Sequence, residues 1–338
     1  MKPARHILEY YDPVISFIPS TSDLTGLLFE KHKNTLFENN IQIVYQYYEA
    51  WGFSANFHLH EYWKTYDCFD FSAVPRDILP KDELGLLDFF EGQILQGRYL
   101  WMSINTRYIE HYESYGQVDR PHPIFVYGYD SALQKFMCVD FFDFSEPSRK
   151  EVSYEQFARA YFEYAASKVL FAGEINPNFD SLIMVSEKEV GARLFNKNRA
   201  LYAFHSLLTY TNSGTYPKYG LSVFDDFSEM LVDEKYVKQS IYSAKGTAHF
   251  LCEHVHMMQL RYNFFCEEGL VRHAAGIEDE LYNIHTALLQ MRNMIIKLYL
   301  DKRSDVVAAQ LGELSTGYKD IGYRYRRALE CIRGLLMG

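Results

Sequence analysis

A change of hydrophobic period near Phe171 limits what this chain can fold into more than any other feature. Before it, apolar residues come in short β-branched or aromatic runs bounded by Gly and polar turns. Ile41–Tyr45, Tyr99–Ile104, Pro123–Tyr129 and Lys135–Phe142 read as strands. The last two flank Asp130-Ser131-Ala132-Leu133-Gln134 and give the strongest hairpin signature in the chain. Ser153-Tyr154-Glu155-Gln156-Phe157 then opens a helix, with Ser153 as N-cap and Gln156 at the third position of a capping box. After the loop Glu174–Asn178 the apolar spacing becomes three and four. It predicts helices over Glu187–Leu208, Asp225–Val232, Val237–Phe265, Glu278–Leu300 and Val306–Leu335. Gly220, Gly269 and Gly276 suit the ends of such helices. No internal repeat links the two halves. The expected fold is α+β over residues 1–175 followed by an α-helical domain over 176–338, joined near 172–184.

At 338 residues the chain is long enough for two cores. Its net charge of −10 argues against binding nucleic acid through the overall field. There is no apolar targeting region near the start and no run of 18 uncharged apolar residues, so a soluble, cytoplasmic chain without a membrane partner is expected. The five cysteines lack regular spacing, which excludes a disulfide scaffold, and none precedes Cys68. Tyr and Phe number 28 and 25 against 3 Trp. Such an excess either lines an apolar channel or packs cores.

The residues that carry chemistry lie on the hairpin. His122 precedes the first strand and Asp140 ends the second, so antiparallel pairing brings the two positions close together; they need not be directly opposite, because the register is not determined. An imidazole whose second nitrogen is held by a carboxylate is the base–orienter half of a catalytic triad. Two solvated polar residues at strand ends would look the same in sequence.

Three blocks occur in a fixed order: Arg120-Pro121-His122-Pro123-Ile124-Phe125-Val126-Tyr127-Gly128-Tyr129-Asp130, Phe136-Met137-Cys138-Val139-Asp140 and Ser153–Ala158. Tyr219-Gly220-Leu221, Arg261 and Phe264 come after them in the helical half. In this order the chain resembles the butirosin biosynthesis protein H-like family over most of its length. The resemblance implies a papain-like, cysteine-protease-type N-terminal domain and a helical C-terminal one. It also implies transfer of an acyl group from an acyl or peptidyl carrier protein, held as a phosphopantetheine thioester, to a small-molecule amine in antibiotic or nonribosomal peptide pathways. On that resemblance His122 is the general base and Asp140 its orienter; no metal or nucleotide cofactor is implied.

The chain departs from the family at the nucleophile. The family's cysteine heads the first helix, where unpaired N–H groups and the helix dipole favour a thiolate. The corresponding stretch here, Pro19-Ser20-Thr21-Ser22-Asp23-Leu24, has hydroxyls and no thiol. Ser20, Thr21 and Ser22 are the candidate nucleophiles. Ser20 followed by Asp23 also reads as an N-cap with a partial capping box. A working hydroxyl, a serine in place of a replaced cysteine, and a fold that has lost its chemistry all remain open. So do three functions: an amide-forming acyltransferase, an inactive carrier-binding scaffold, and a peptidase or thioester hydrolase.

Other constellations are weaker. Cys138 shares a strand face with Asp140 but sits in an apolar run typical of a core thiol. His249, Cys252 and His256 fall on one helix face with zinc-ligand character, and Glu253 with His256 matches a Glu-x-x-His diiron element that has no second copy. Core and surface histidines, His254 included, are the simpler account. His58 and His60 share a strand face without a third ligand. The run Tyr323-Arg324-Tyr325-Arg326-Arg327 could receive an acidic carrier or pair with nearby carboxylates.

Overall fold

A hairpin turn over Ser131–Gln134 sets the centre of the larger sheet. Its last residue, Gln134, takes a left-handed φ of 51°. The computed structural model describes residues 2–16, 19–39, 42–48, 52–57, 68–143, 146–164, 181–188, 194–210, 217–300 and 304–338. In chain order the elements are β1 (Arg5–Ile7), α1 (Pro19–Leu28), α2 (Lys33–Glu38), β2 (Ile43–Tyr48), β3 (Gly52–Phe57), β4 (Phe69–Pro75), α3 (Glu83–Leu95) and β5 (Arg98–Asn105). There follow β6 (Pro121–Asp130), β7 (Lys135–Asp140), β8 (Ser148–Ser153), α4 (Tyr154–Phe162), β9 (Ser181–Glu187), α5 (Lys197–Thr209) and β10 (Lys218–Tyr219). The chain ends with α6 (Val223–Val232), α7 (Glu234–Glu267), α8 (Ala275–Leu300) and α9 (Ser304–Met337). The fold is thus mixed α/β with antiparallel sheets and a helical C-terminal region.

The chain divides into two units: Met1–Lys33 with Tyr66–Arg193, and Asn34–Thr65 with Leu194–Gly338. Periodicity alone suggests a single crossing at 175/176. The difference has two causes. Strands β2 and β3 pair with β10 in a three-stranded sheet, which draws an early hairpin into the second unit. Conversely, β9 pairs with both β4 and β5 and so belongs to the first. The helix expected from Glu187 begins only at Lys197, with Asn196 capping Arg199 N–H; Glu187 itself ends β9. Leu182-Ile183-Met184-Val185 is too short to display a period, and pairing on both sides makes it a strand.

In the first unit the sheet order is β4-β9-β5-β6-β7-β8, with β1 also paired to β6. Its mostly aliphatic core holds an aromatic cluster: Phe136 lies 4.9 Å from Phe157 and 4.5 Å from Tyr154 between ring centroids, with Phe90 beside both phenylalanines. Burial of these rings accounts for part of the Tyr and Phe excess. Ser153 caps α4 by accepting from Gln156 N–H at 3.2 Å. The reciprocal half of the expected capping box is not made, because Gln156 Oε1 has no partner among the described residues. In the second unit, Arg261 is buried and donates to the carbonyls of Phe37 and Asn39, tying α7 to α2. No helix among the described residues is long and apolar enough to cross a membrane.

One irregularity in β6 decides which face of the sheet His122 occupies. Near the turn the partners are Asp130↔Lys135, Tyr129↔Phe136 and Gly128↔Met137; farther out they are Val126↔Cys138 and Phe125↔Val139. Tyr127 is therefore the extra residue of a bulge. Continued without it, the register would set Asp140 opposite Phe125, leaving His122 on the other face. With it, Asp140 falls opposite Ile124, and His122 shares that face two residues away.

Gly128 adjoins the bulge, and a Cβ there would stand 3.0 Å from the His6 carbonyl oxygen and 3.1 Å from Ile7 Cα. Both are backbone atoms of β1, which cannot swing aside as a side chain can. Gly128→Ala should therefore lower unfolding free energy by about 1–3 kcal/mol in urea titration. An unchanged midpoint would show that β1 is not held this closely.

Candidate functional site

The bulge, the sheet and the loop before β6 bring three side chains together in the first unit. His122 Nδ1 lies 2.8 Å from Asp140 Oδ2 and 2.9 Å from the Pro123 carbonyl oxygen. A carbonyl oxygen can only accept, so Nδ1 carries the proton and donates. Proton exchange with any other group then falls to Nε2. The Tyr112 hydroxyl donates to the same Asp140 oxygen, from the loop between β5 and β6. Tyr112 also stands beside His122, with 6.0 Å between ring centroids, and against Phe142 at 4.8 Å. Asp140 is about 1% exposed and the His122 side chain 16%, so the carboxylate is sealed behind the imidazole.

Burial disfavours the imidazolium of His122. The charge of Asp140, its hydrogen bond and the Pro123 carbonyl outweigh that and hold the ring's pKa above its ordinary value, with Arg120 opposing weakly. Burial, followed by the charge and hydrogen bond of Asp140, pushes the Tyr112 phenol well up, so it stays a donor. Cys138 is fully buried in the sheet core, and burial together with Asp140 raises its thiol well above the ordinary range. It is a core residue.

Helix α1 packs against β6 and β7, the strands that carry the pair. It begins at Pro19, whose fixed φ and missing N–H suit the first turn. Ser20 therefore lies inside that turn rather than ahead of it as N-cap. The side chains of Ser20 and Thr21 lie outside the described residues. Ser22 is fully buried, and its Oγ makes no hydrogen bond to any described residue, His122 included. Asp23, expected to share in capping the helix, does not. It is 4% exposed, and its Oδ1 has no partner among the described residues. Burial, and after it the charge of Asp140, raises its carboxyl well above the usual range.

Sequence reasoning brings His122 and Asp140 together but misses Tyr112 and the burial of Asp23. Nothing in His111-Tyr112-Glu113-Ser114 signals a partner for a distant carboxylate. Asp23 does leave a trace: Leu27 follows at i+4, which places the carboxyl on the apolar stripe.

The remaining constellations resolve into ordinary contacts within the second unit. His249 accepts from Arg292 at 3.0 Å and lies 3.6 Å from Glu253; burial and Arg292 bring it down to about 4. Burial pushes the Cys252 thiol up to about 12. His254 is hydrogen-bonded to Tyr325, and His256 stacks on His285 at 5.5 Å. Among the described residues no group of three or more His, Cys, Asp or Glu is arranged to hold a metal. His58 and His60 lie outside the described residues. The basic run is divided. Arg324 pairs with Glu280 at 2.8 Å, Arg326 donates to the Leu208 carbonyl, Arg327 lies over Tyr323, and Tyr325 is buried. No protein-family model matches the chain, and no curated protein matches it.

The raised pKa of His122 has a defined sign in stability. The ion pair with Asp140 contributes fully below about pH 6.5, the unfolded value, and fades as pH rises through the higher folded value. The melting-temperature gap between wild type and His122→Gln should therefore be widest below about pH 6.5 and shrink as pH rises through the raised folded value. A gap that is flat or grows with pH would contradict the pairing.

Proposed function

We propose that this chain is a papain-like acyltransferase of antibiotic or nonribosomal peptide biosynthesis. It moves an acyl group from a carrier-protein thioester to a small-molecule amine. The observation that carries the reading is the His122–Asp140 pair, with Nδ1–H directed into a buried carboxylate on strands packed against α1. That helix, followed by a His-bearing strand and an Asp-bearing strand, is the chain order implied by the resemblance to the butirosin biosynthesis protein H-like family. Ser20 or Thr21, in the first turn of α1, is the nucleophile.

The hydroxyl oxygen attacks the thioester carbonyl as its proton passes to His122 Nε2. The carbon–sulfur bond breaks, and the carrier thiolate leaves with that proton. The amine then attacks the resulting ester and gives a proton to Nε2. His122 returns it to the departing hydroxyl oxygen, and the amide is released. Asp140 holds the imidazole tautomer and compensates the imidazolium charge in each half. Backbone N–H groups at the start of α1 are the source of oxyanion stabilisation. A thioester is already activated, so the chemistry needs neither nucleotide nor metal.

A second reading, a carrier-binding scaffold without catalysis, is favoured by the absence of any cysteine before Cys68 and the burial of Cys138. Incubation with an acyl-phosphopantetheinyl carrier protein, followed by intact mass measurement, separates the two. The enzyme reading predicts an acyl adduct on the wild type and none on His122→Ala. In Asp140→Asn the adduct should form roughly 10³–10⁴-fold more slowly. Carrier binding without adduct, unchanged in His122→Ala, would establish the scaffold. Release of free acid in the presence of an amine would instead identify a hydrolase.

A further inference from the structure

The loop between β5 and β6 is tied shut at its base by the buried amide of Asn105. Asn105 Oδ1 accepts from the Arg107 and Arg120 N–H groups, each at 3.2 Å. Its Nδ2 donates to Asp119 Oδ1 at 2.9 Å and to the Glu163 carbonyl at 3.3 Å. A side-chain amide has two N–H groups and two lone pairs to satisfy, and all four are used here. Thr106 adds a second tie. Its N–H and its hydroxyl both donate to the Arg120 carbonyl at 2.9 Å, and the hydroxyl accepts from Ser114 at 2.6 Å. These bonds lie outside the dyad, but the loop they close carries Tyr112.

Tyr112 is 2% exposed, and its backbone is held inside the loop by the Ile109 carbonyl and the Tyr115 N–H. Its hydroxyl donates to Asp140 Oδ2, the same oxygen that takes His122 Nδ1–H at 2.8 Å. The other oxygen, Oδ1, receives nothing from any described residue. Two donors therefore share one oxygen, and each weakens the hold of that oxygen on the other. Without the phenol, the imidazolium would face a barer carboxylate and release its proton less readily. Three more titratable or charged groups act here. Cys138 on β7 and Asp23 on α1 influence the phenol, and Arg120 opposes the charge on the imidazole. Burial raises Cys138 and Asp23 well above their ordinary values.

We propose that Tyr112, delivered by the Asn105-clamped loop, is a positioning residue of the His122–Asp140 pair, and that its hydroxyl limits how strongly the carboxylate binds the imidazolium. The bond also fixes which oxygen of Asp140 faces the ring, and with it the ring's orientation. A base that works near neutral pH must give its proton back as easily as it takes it, and a shared carboxylate oxygen favours both. The role belongs to the pair itself and does not depend on acyl transfer.

NMR of the full-length protein tests this in three steps. In the wild type, the Tyr112 hydroxyl proton should give a downfield signal that exchanges slowly with water. A freely exchanging phenol would overturn the proposal without any variant being made. In Tyr112→Phe the ring stays against Phe142 and only the donor is lost. His122 should then titrate higher by roughly 0.5–1, holding its proton about three to ten times more tightly. A residue that serves only to pack would leave the value where it is, so an unchanged or lowered value refutes the role. Asn105→Ala keeps the phenol but frees the loop, and should move His122 in the same direction. Combined with Tyr112→Phe it should add nothing to the effect of Tyr112→Phe alone. Additive shifts would show that Asn105 does not act through Tyr112 and would refute the clamp.

Discussion

Side-chain direction in a β-strand alternates, so one extra residue exchanges every contact beyond it. In β6 that residue is Tyr127, and the candidate site depends on it. Neither His122 nor Asp140 is unusual for its position in sequence. They meet because the bulge returns the outer end of β6 to the face that carries Asp140. Gly128, next to the bulge, lets β1 lie against β6 on its other edge, so the same short segment both sets the site and closes the sheet around it.

Once Asp140 is enclosed, its surroundings follow from the need to satisfy a buried charge. A carboxylate removed from water is tolerable only with donors directed at it. His122 and Tyr112 supply two to one oxygen. Because the Pro123 carbonyl also accepts from Nδ1, the imidazole is confined to one tautomer and presents Nε2 as its basic nitrogen. A triad requires the same arrangement of its base, and here it results from the local demands of a strand end. In sequence, the first residues of α1 carry hydroxyls and an acid rather than a thiol.

Much of this is legible in the sequence for definite reasons. The hairpin carries its own turn and β-branched flanks, and the long helices of the second unit repeat an apolar spacing over 26 to 34 residues, so local signals suffice. Strand β9 escapes a local reading because seven residues of mixed apolar character take their state from the strands on either side. The early hairpin β2–β3 looks like part of the first half because its pairing with β10 spans more than 160 residues. The His122–Asp140 approach comes from topology. Tyr112 and the register do not: Gly128 inside the strand hints at a bulge or a close backbone approach, but it does not say which residue is extra or to which face His122 turns.

The central claim is that Asp140 holds the Nδ1 proton of His122, and long-range ¹H–¹⁵N NMR of the histidine rings reads that directly. In neutral His122, Nδ1 should be protonated and Nε2 not, and the ring should titrate above the ordinary value of about 6.5. A neutral ring protonated at Nε2, or a titration below that value, would contradict it.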